Sequence, residues 1–587
     1  MTAPRPIFRT TAPTATDSAA IRSARAALND KTAITSAPSG LRALAEWLVL
    51  LALAVTLFRC FGVEGYMIST GSMAPSLLGY HTRITCPACG LTFAHGVAPP
   101  EEDSVAVVRV SVAEAQSVAF SEGGPETVAC PNCSRKCPVG ALPERAEGDQ
   151  LLVHKDAYAW RSLARRGGPR RWEIAVFRNP DDARMAYVKR IAGLPGEAIE
   201  LVDGDVYANG TLQRKALTAQ LSTRIPVSLT DHPVTDDDPN WEARWSNDGA
   251  GADWQIDGSK FVHVMNAPSR NSPTRQSQWH WITYRHWIRS GGATTTSVPL
   301  EQWPESLAAP DPLLSPLDYD PAAHRLTCLG ALPHVQWERW DAATRDADFH
   351  AALWELFRES HVAPIIDSAP YNTSGSGGAN PVRDLLVELT LEWRGGSGQF
   401  ALEMTDGARE FRCELDLGRG ELQIVADGQE TLFAGQVTIE RDTPTILLMS
   451  TFDEQLLLAQ DGELLCDPIP YERGDEPPAP LRRPVRFGVR DASVVVDHVG
   501  LYRDIYYTPP PGGAQTFMLQ EGEYFVLGDN SSVSVDSRHW QRPGVPESAL
   551  IGKPLFVHLP SRPLRLEWGG KVRQIRVPDF ERIRYIR

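Results

Sequence analysis

Hydrophobic residues form one long run near the N terminus of the 587-residue chain and only short runs after it. Residues 43–63 are ALAEWLVLLALAVTLFRCFGV. A helix of about 20 residues is long enough to cross the apolar core of a bilayer. Glu46 and Arg59 lie towards the two ends of the run, where long charged side chains can reach the membrane surface. The pattern therefore predicts a transmembrane helix at 43–63.

The alternatives to a membrane anchor are a buried helix and a cleaved signal peptide. A signal peptide fits poorly, because the run starts far from the N terminus and no small-x-small cleavage site follows it closely. The preceding tail, 1–42, is rich in Ala, Thr, Pro and Ser, and its basic residues outnumber its acidic ones. We therefore predict a disordered cytoplasmic tail, a single crossing of the inner membrane and an extracytoplasmic remainder.

Short apolar runs separated by turn residues fill the rest of the chain, which is typical of β-strands. A hairpin is predicted over 199–207, around an Asp-Gly turn. More runs follow residue 381, and Asp-Gly turns separate several of them. They are 385–393, 399–405, 410–415, 421–426, 456–460 and 493–502. We therefore predict a mainly β protein with a β-sandwich inserted at 211–515.

Composition narrows the class of protein. The chain has 58 Lys and Arg against 73 Asp and Glu, a formal charge of -15. A protein that binds nucleic acid needs a basic face, so this balance argues against nucleic acid as a partner. Five of the nine cysteines lie between positions 86 and 137, which indicates a local site rather than a chain-wide disulfide framework.

Four of these cysteines form two Cys-Pro-x-Cys knuckles, Cys86 with Cys89 and Cys130 with Cys133. Each knuckle can present two thiolates to one tetrahedral metal ion, an arrangement similar to a zinc ribbon. We therefore predict a structural zinc ion at these four residues and no cofactor for catalysis. Disulfides are the alternative interpretation, since they form readily on the oxidising side of a membrane.

Three further segments carry candidate chemistry. Residues 65–77 are GYMISTGSMAPSL, in which Ser72 lies in a turn. Residues 187–197 are YVKRIAGLPGE, in which Lys189 ends a predicted strand and is expected to be partly buried. Residues 528–538 are GDNSSVSVDSR. A serine hydroxyl is a poor nucleophile until a neighbouring base takes its proton, and an uncharged lysine can act as that base.

In this order, behind an N-terminal apolar run, the segments resemble the bacterial signal peptidase I family. The resemblance covers 65–77, 147–210 and 521–560, and the blocks between them are insertions. It implies a membrane-bound serine endopeptidase that removes N-terminal signal peptides from exported preproteins. Signal peptides and membrane lipid are therefore the expected partners.

The resemblance also implies a role for each matching residue. Ser72 would be the nucleophile and Lys189 the general base. Thr70 would join the backbone N–H of Ser72 in an oxyanion hole, and Ser534 would orient the lysine. The other matching positions are Asp529, Asn530, Asp536 and Arg538, which would support the site, and Tyr66, Ile68, Tyr187 and Val188, which would line pockets for small substrate side chains.

Lys189 can act as a general base only if its surroundings lower its pKa. A lysine becomes an effective base only if its pKa falls from about 10.4 towards 7–8, and burial beside Tyr187, Val188 and Ile191 is expected to cause that fall. Ser69 stands where the family usually has proline, and Thr70 where it usually has serine. The first change leaves the cleavage preference open, and the second keeps a donor hydroxyl.

These assignments divide the chain into seven parts. They are a tail (1–42), a transmembrane helix (43–63), three catalytic segments (64–85, 141–210 and 516–587, the last with a basic end), a zinc-ribbon-like insertion (86–140) and an inserted sandwich (211–515). The sandwich weakly resembles a concanavalin-type, laminin G-like jelly roll, and its expected ligand is an envelope glycan or protein. The alternative functions are an inactive envelope-binding protein and a self-cleaving Ser-Lys protease.

Overall fold

The computed structural model describes most of the chain. The described residues are 40–57, 62–98, 127–140, 145–155, 157–158, 168–180, 184–247, 254–265, 278–291, 295–310, 315–372, 380–474, 479–558, 560–568 and 571–586. Two compact units are distinguished, Met1–Glu64 and Gly65–Arg587. The predicted disordered tail therefore lies almost wholly outside the described residues.

The first unit contains helix α1, Gly40–Leu57. Among the described residues, no helix combines the length and the apolar character needed to cross a membrane. The transmembrane helix predicted at 43–63 is therefore not confirmed, and its residues 58–61 lie outside the described part of the chain.

The chain from 62 to 212 forms short strands. They are β1 (Val63–Met67), β2 (His81–Thr85), β3 (Thr92–Gly96), β4 (Thr127–Ala129), β5 (Lys136–Pro138), β6 (Gln150–His154), β7 (Ile174–Arg178), β8 (Ala186–Gly193), β9 (Ala198–Val202), β10 (Asp205–Ala208) and β11 (Thr211–Leu212). The strand pair β9–β10 is the hairpin predicted around an Asp-Gly turn, and its Cα register pairs Val202 with Asp205.

In the next block, which we call the inserted domain (residues 213–503), the described residues form three helices and seventeen strands. The helices are α2 (Leu217–Thr223), α3 (His334–Asp341) and α4 (Ala347–His361). The strands are β12 (Ile225–Leu229), β13 (Trp245–Asn247), β14 (Trp254–Asp257), β15 (Lys260–His263), β16 (His280–Tyr284), β17 (Thr295–Pro299), β18 (Leu317–Asp320), β19 (Arg325–Leu329), β20 (Leu385–Thr405), β21 (Glu410–Asp416), β22 (Glu421–Ala426), β23 (Glu430–Gln436), β24 (Thr445–Ser450), β25 (Gln455–Gln460), β26 (Glu463–Leu464), β27 (Ile469–Pro470) and β28 (Val485–Arg503).

The last block returns to the fold that the inserted domain interrupts. Its strands are β29 (Phe517–Met518), β30 (Glu523–Leu527), β31 (Val545–Pro546), β32 (Leu550–Val557), β33 (Ser561–Trp568), β34 (Lys571–Pro578) and β35 (Arg584–Tyr585). Short 3-10 turns in this block are Glu547–Ala549 and Phe580–Arg582. Another such turn, Phe452–Glu454, lies in the inserted domain. The prediction of a mainly β protein is confirmed.

One eight-stranded sheet joins the early and late strands into what we call the host domain. Its order is β1-β6-β32-β7-β8-β30-β31, with β35 pairing with β32. A smaller sheet, β11-β10-β9-β29, also combines strands from both sides of the inserted domain. Strand β7 is buried at four successive residues, because both of its faces are covered, which explains its continuous apolar run. The host domain is thus assembled from distant parts of the chain.

The inserted domain leaves and re-enters the host domain at neighbouring points. Near its start, Ile225 of β12 pairs with Arg503, the last residue of β28. Just beyond that, the N–H of Tyr507 donates to the carbonyl of Gly204, 3.1 Å away, in the β9–β10 hairpin. A domain whose ends lie close together can be inserted without disturbing its host.

The largest hydrophobic cluster of the inserted domain is built around β20 and β28. The first half of β20 pairs with β24, the second half pairs with β21, and the pairing of β20 with β28 shifts register between the halves. Leu389 from the first half and Leu402 from the second pack into one hydrophobic cluster. Gly396 lies at the bend with a φ of 78°, a conformation in which a β-carbon would be strained. The six predicted runs are therefore strands, but two of them belong to one bent strand.

A helical layer in the inserted domain was not predicted. Helix α4 begins after Asp346, whose side chain accepts a hydrogen bond from the N–H of Phe349 at 2.9 Å. Its buried apolar residues include Phe349, Leu353, Leu356 and Phe357, which lie on one helical face and pack against the sheet of β17, β18 and β19. This three-to-four-residue spacing is visible in the sequence and would have indicated the helix.

Candidate active site

The loop that follows β1 carries Ser72 and is held by backbone hydrogen bonds. Within the loop, the N–H of Ala74 donates to the carbonyl of Gly71 at 3.0 Å. From the far end of the chain, the backbone N–H of Asn530 donates to the carbonyl of Ser72 at 3.0 Å. The Asn530 side-chain amide donates to the carbonyl of Gly71, also at 3.0 Å. Two consecutive carbonyls of the loop are therefore fixed by Asn530, a predicted supporting residue.

Strand β8 brings Lys189 to this loop. The Lys189 Nζ donates to Ser72 Oγ at 2.6 Å, although the residues are 117 positions apart. Lys189 is 3% exposed and Ser72 is 6% exposed, so the amine and the hydroxyl meet away from bulk water. Thr70 Oγ1 lies 3.3 Å from Ser72 Oγ. The arrangement is chemically suited to transfer of the hydroxyl proton to the amine.

A narrow cavity opens beside these groups. Its volume is about 80 Å³, and residues of the β1 end and of β8 line it. All four predicted substrate-binding residues are among the lining residues: Tyr66, Ile68, Tyr187 and Val188. The cavity also includes Ser72 and Lys189, so it leads to the hydroxyl–amine pair. Its size suits a small side chain.

A buried ion pair lies behind the site on the loop after β30. Arg538 donates to both carboxylate oxygens of Asp536 at 2.8 Å, and the N–H of Gly528 donates to Asp536 at 2.9 Å. Burial alone would raise the pKa of Asp536, but the Arg538 guanidinium outweighs that effect and holds this pKa well below its ordinary value. This lowered pKa favours the ionised form of Asp536. Arg538 also ties the loop to Thr508 and Ser531.

A second buried ion pair involves a residue to which the sequence analysis gave no role. Arg190, next to Lys189, donates to the two oxygens of Asp529 at 2.8 and 2.6 Å, and both side chains are fully buried. Arg190 also donates to the carbonyl of Trp172 at 2.7 Å. The Asp529 charge raises the pKa of Arg190 against the effect of burial. The sequence did contain a signal for this role, because a second basic residue directly follows Lys189 in the motif.

Ser534 lies close to the nucleophile loop but without the predicted hydrogen bond. A β-carbon built on Gly528 would lie 2.2 Å from Ser534 Oγ and 2.5 Å from the carbonyl oxygen of Ser72. Both Ser534 and Ser72 therefore lie so close to Gly528 that there is no room for a side chain at this position. Among the described residues, Ser534 Oγ has no hydrogen-bond partner, although it is buried. Its predicted role in orienting Lys189 stays a prediction.

The four knuckle cysteines converge between the hairpins β2–β3 and β4–β5. The Sγ atoms of Cys86 and Cys133 are 3.5 Å apart, and those of Cys89 and Cys130 are 3.6 Å apart. All four residues are buried free cysteines whose ligand atoms lie within 4.8 Å of one another. The neighbouring thiol of Cys130 lowers the pKa of Cys89 to about 4. Four converging thiols of this kind fit the tetrahedral donor set of a structural zinc ion.

Comparison with known proteins relates parts of this chain to one family. A family model described as signal peptidase, peptidase S26, matches residues 139–249 and 502–559. These ranges contain Lys189 but not Ser72. Signal peptidase I of Pseudomonas aeruginosa is 33% identical over 91 residues, which cover 14% of this chain and 32% of that protein. Signal peptidase I V of Bacillus subtilis is 35% identical over 72 residues, covering 12% of this chain and 38% of that protein.

Solved structures resemble this chain only distantly, over about a fifth of its length. A carbohydrate binding module from Bacillus subtilis matches with 14% identity and a TM-score of 0.16, covering 20% of this chain and 74% of that one. The galectin LEC-6 of Caenorhabditis elegans matches with 9% identity and a TM-score of 0.16, covering 20% of this chain and 81% of that one. The curated relatives above are matched over about a third of their own length.

Proposed function

We propose that the chain is a serine endopeptidase of the signal peptidase I type, because its residues 139–249 and 502–559 match the family model described as signal peptidase, peptidase S26. Its substrates would be exported preproteins, from which it removes N-terminal signal peptides. The observation that carries the proposal is the 2.6 Å contact between Lys189 Nζ and Ser72 Oγ in a buried site.

In the proposed mechanism, Lys189 in its neutral form takes the proton of Ser72 as Oγ attacks the carbonyl carbon of the scissile peptide bond. The backbone N–H of Ser72 and the hydroxyl of Thr70 would donate to the resulting oxyanion. The Lys189 ammonium then gives its proton to the leaving amine, which departs as the new N terminus of the mature protein. A water molecule, deprotonated by Lys189, hydrolyses the acyl-enzyme, releases the signal peptide and restores Ser72.

The cavity supports a preference for small side chains before the cleaved bond. A volume of about 80 Å³ leaves little room for a large residue. Strand β30 pairs with β8 at Arg190, Ile191 and Gly193, next to the part of β8 that lines the cavity. We propose that the substrate lies extended beside this part of β8 and forms backbone hydrogen bonds to it.

Membrane attachment through α1 is part of the same proposal. Its described apolar side chains are exposed to a degree that is unusual for residues of their kind, with Trp47 at 73% and Val49 at 67%. Such a surface favours an apolar environment. The prediction is that the full chain sediments with inner-membrane vesicles and is released by detergent but not by high salt. Release by salt alone would contradict it.

Zinc at the four knuckle cysteines is proposed as a structural ion without a part in catalysis. We expect about one zinc per purified chain, measured by elemental analysis. Replacing Cys86 by serine should remove most of that zinc. The matched control is Cys328→Ser, since Cys328 is equally buried but lies outside the cluster. Zinc retained by the Cys86 variant, or absent from the unmodified chain, would contradict the proposal.

The peptidase activity is tested with the purified full chain and a preprotein substrate. Ser72→Ala and Lys189→Ala should each lower kcat/KM by at least ~10⁴-fold, because each removes an atom that reacts. The matched controls are Ser76→Ala, in the same loop, and Lys260→Ala, on the surface of the inserted domain; both should keep activity within about twofold. Cleavage that survives in both site variants would refute the mechanism. Cleavage of the chain itself alone would favour a self-processing protease.

A further inference from the structure

The inserted domain reaches the candidate active site through residues 370–372, which we call the strap. The carbonyl of Pro370 lies 2.8 Å from His95 Nδ1. The N–H of Gly96 donates to the carbonyl of Tyr371 at 2.8 Å. The strap therefore joins the end of β3 to the host domain's nucleophile loop, although all three of its residues come from the inserted domain.

The Tyr371 side chain packs directly on the loop that carries Ser72. A β-carbon built on Gly71 would lie 2.1 Å from a ring carbon of Tyr371, so the ring lies against the backbone one residue before Ser72. Tyr371 is buried with Ala74 and Leu78, and its hydroxyl donates to the carbonyl of Tyr80 at 2.9 Å. Burial raises the pKa of Tyr371, so the hydroxyl stays protonated and available as a donor.

Asn372 contacts the residue that fixes the loop's carbonyls. The amides of Asn372 and Asn530 form a reciprocal pair, with Asn530 Nδ2 donating at 2.7 Å and Asn372 Nδ2 donating at 2.9 Å. Asn372 Nδ2 also lies 3.2 Å from Ser532 Oγ. Because Asn530 itself holds the carbonyls of Gly71 and Ser72, Asn372 acts on the nucleophile through one intermediate residue.

We propose that Tyr371 and Asn372 are positioning residues, by which the inserted domain holds the Ser72 loop in its reactive geometry. The strap lies in the inserted domain and outside both family-matched ranges, 139–249 and 502–559. Displacing a nucleophile by about 1 Å can cost about 100-fold in rate, and a single hydrogen-bonded support accounts for part of that. The inference deepens the proposed function, because it concerns the same site.

The first test compares kinetics of Asn372→Ala with those of the unmodified full chain on a preprotein. We expect kcat to fall about 10- to 100-fold while KM changes less than about threefold, because Asn372 contacts Asn530, which fixes the loop, and is not among the residues that line the substrate cavity. Asn372→Asp keeps an acceptor for Asn530 and should recover part of the loss. The matched control, Asn247→Ala, removes an amide hydrogen bond elsewhere in the inserted domain and should leave kcat unchanged.

The second test does not depend on activity. Hydrogen exchange of peptides covering 68–79 and 528–536 should be faster in Asn372→Ala than in the unmodified chain, and unchanged in the Asn247 variant. Tyr371→Phe keeps the ring against the Ser72 loop and should exchange almost normally. The test does not require Tyr371→Ala, which would remove a buried ring. Unchanged exchange and a kcat within twofold in Asn372→Ala would overturn the inference. An unmodified chain with no peptidase activity would instead refute the proposed function, while exchange would still decide the strap's role.

Discussion

Two groups of buried charges meet at Trp172, and they differ in how their charges are matched. In the first group, Arg190 donates to the Trp172 carbonyl and pairs with Asp529. In the second group, the ammonium of Lys215 lies 4.3 Å from the centre of the Trp172 ring. The pairs behind the site, Arg190 with Asp529 and Arg538 with Asp536, match one arginine to each carboxylate. We call them the site pairs.

The second group lies where the inserted domain joins the host domain, and in it acids outnumber bases. Lys215 lies 2.6 Å from Asp453 and 2.8 Å from Asp504. Arg473 contacts Asp384 at 2.5 Å and reaches Asp205 only at 3.7 Å. We call the group of Lys215, Arg473, Asp205, Asp384, Asp453 and Asp504 the junction cluster.

The difference in charge matching determines which carboxyl groups stay ionised. Burial raises the pKa of Asp453 to about 7, although the charge of Lys215 opposes this. Burial and the neighbouring carboxylates raise the pKa of Asp205 well above its ordinary value. In the site pairs the same burial is outweighed at Asp536, whose pKa is lowered by Arg538. A forked guanidinium matched to one carboxylate keeps it charged, whereas surplus carboxylates retain protons.

The largest expected effect is the loss of a carboxylate from a site pair. Asp529→Asn should lower the free energy of unfolding by about 3–5 kcal/mol, because it leaves the Arg190 charge buried without a counter-ion. Urea unfolding of the purified chain measures this. Replacing both residues, as in Arg190→Met with Asp529→Leu, should recover part of the loss. A cost below about 1 kcal/mol for Asp529→Asn would show that the pair is not a matched, buried one.

A smaller, pH-dependent effect is expected at the other site pair. Because the folded-state pKa of Asp536 is lowered, its contribution to stability is present above the unfolded value of about 4 and is lost as the pH falls. Asp536→Asn should therefore cost about 2 kcal/mol near pH 7 and progressively less below about pH 4. Thermal unfolding across this range measures the difference. A cost that is independent of pH would contradict the assignment of a charged carboxylate.

In the junction cluster, the contribution of a carboxyl group to stability should change with pH in the opposite direction. The folded-state pKa of Asp205 is raised, so its contribution is fully present below about pH 4 and is lost as the pH rises through the folded value. Asp205→Asn, which cannot ionise, should therefore stabilise the chain by about 1 kcal/mol near pH 8 and by nothing near pH 4. Urea unfolding at both pH values tests this. Destabilisation near pH 8 would mean that Asp205 is a needed anion.

The smallest effect is expected at a surface acid that serves as the reference for the three variants above. Asp231 lies 2.7 Å from His498, and both side chains are more than half exposed. Solvent screens such a pair, so Asp231→Asn should change the free energy of unfolding by less than about 0.5 kcal/mol. A larger change would mean that the effects of the buried variants include a general sensitivity to loss of acidic residues.

Local sequence patterns were sufficient for some parts of the fold. Alternating runs and Asp-Gly turns identified the strands around Asp427 and Asp461, where the backbone has a positive φ. The sequence of α4 also has a local pattern, apolar residues three to four positions apart, but the predicted sandwich did not include this helix. The fusion of two runs into β20 was not predictable, because residues 394–398 resemble a loop and are held in a strand by β28.

For the candidate site, the sequence by itself determined the order of the motifs, their resemblance to one family and the chemistry that each side chain can offer. It did not determine which atoms meet. Lys189 lies within 2.6 Å of Ser72 because β8 enters the host sheet beside the loop after β1. Arg190 meets Asp529 across 339 positions because β30, which Asp529 follows, pairs with β8. Asn372 reaches Asn530 only because the inserted domain folds back onto its host. Local propensity acts over a few residues, whereas contacts between distant segments depend on how all the strands pack together.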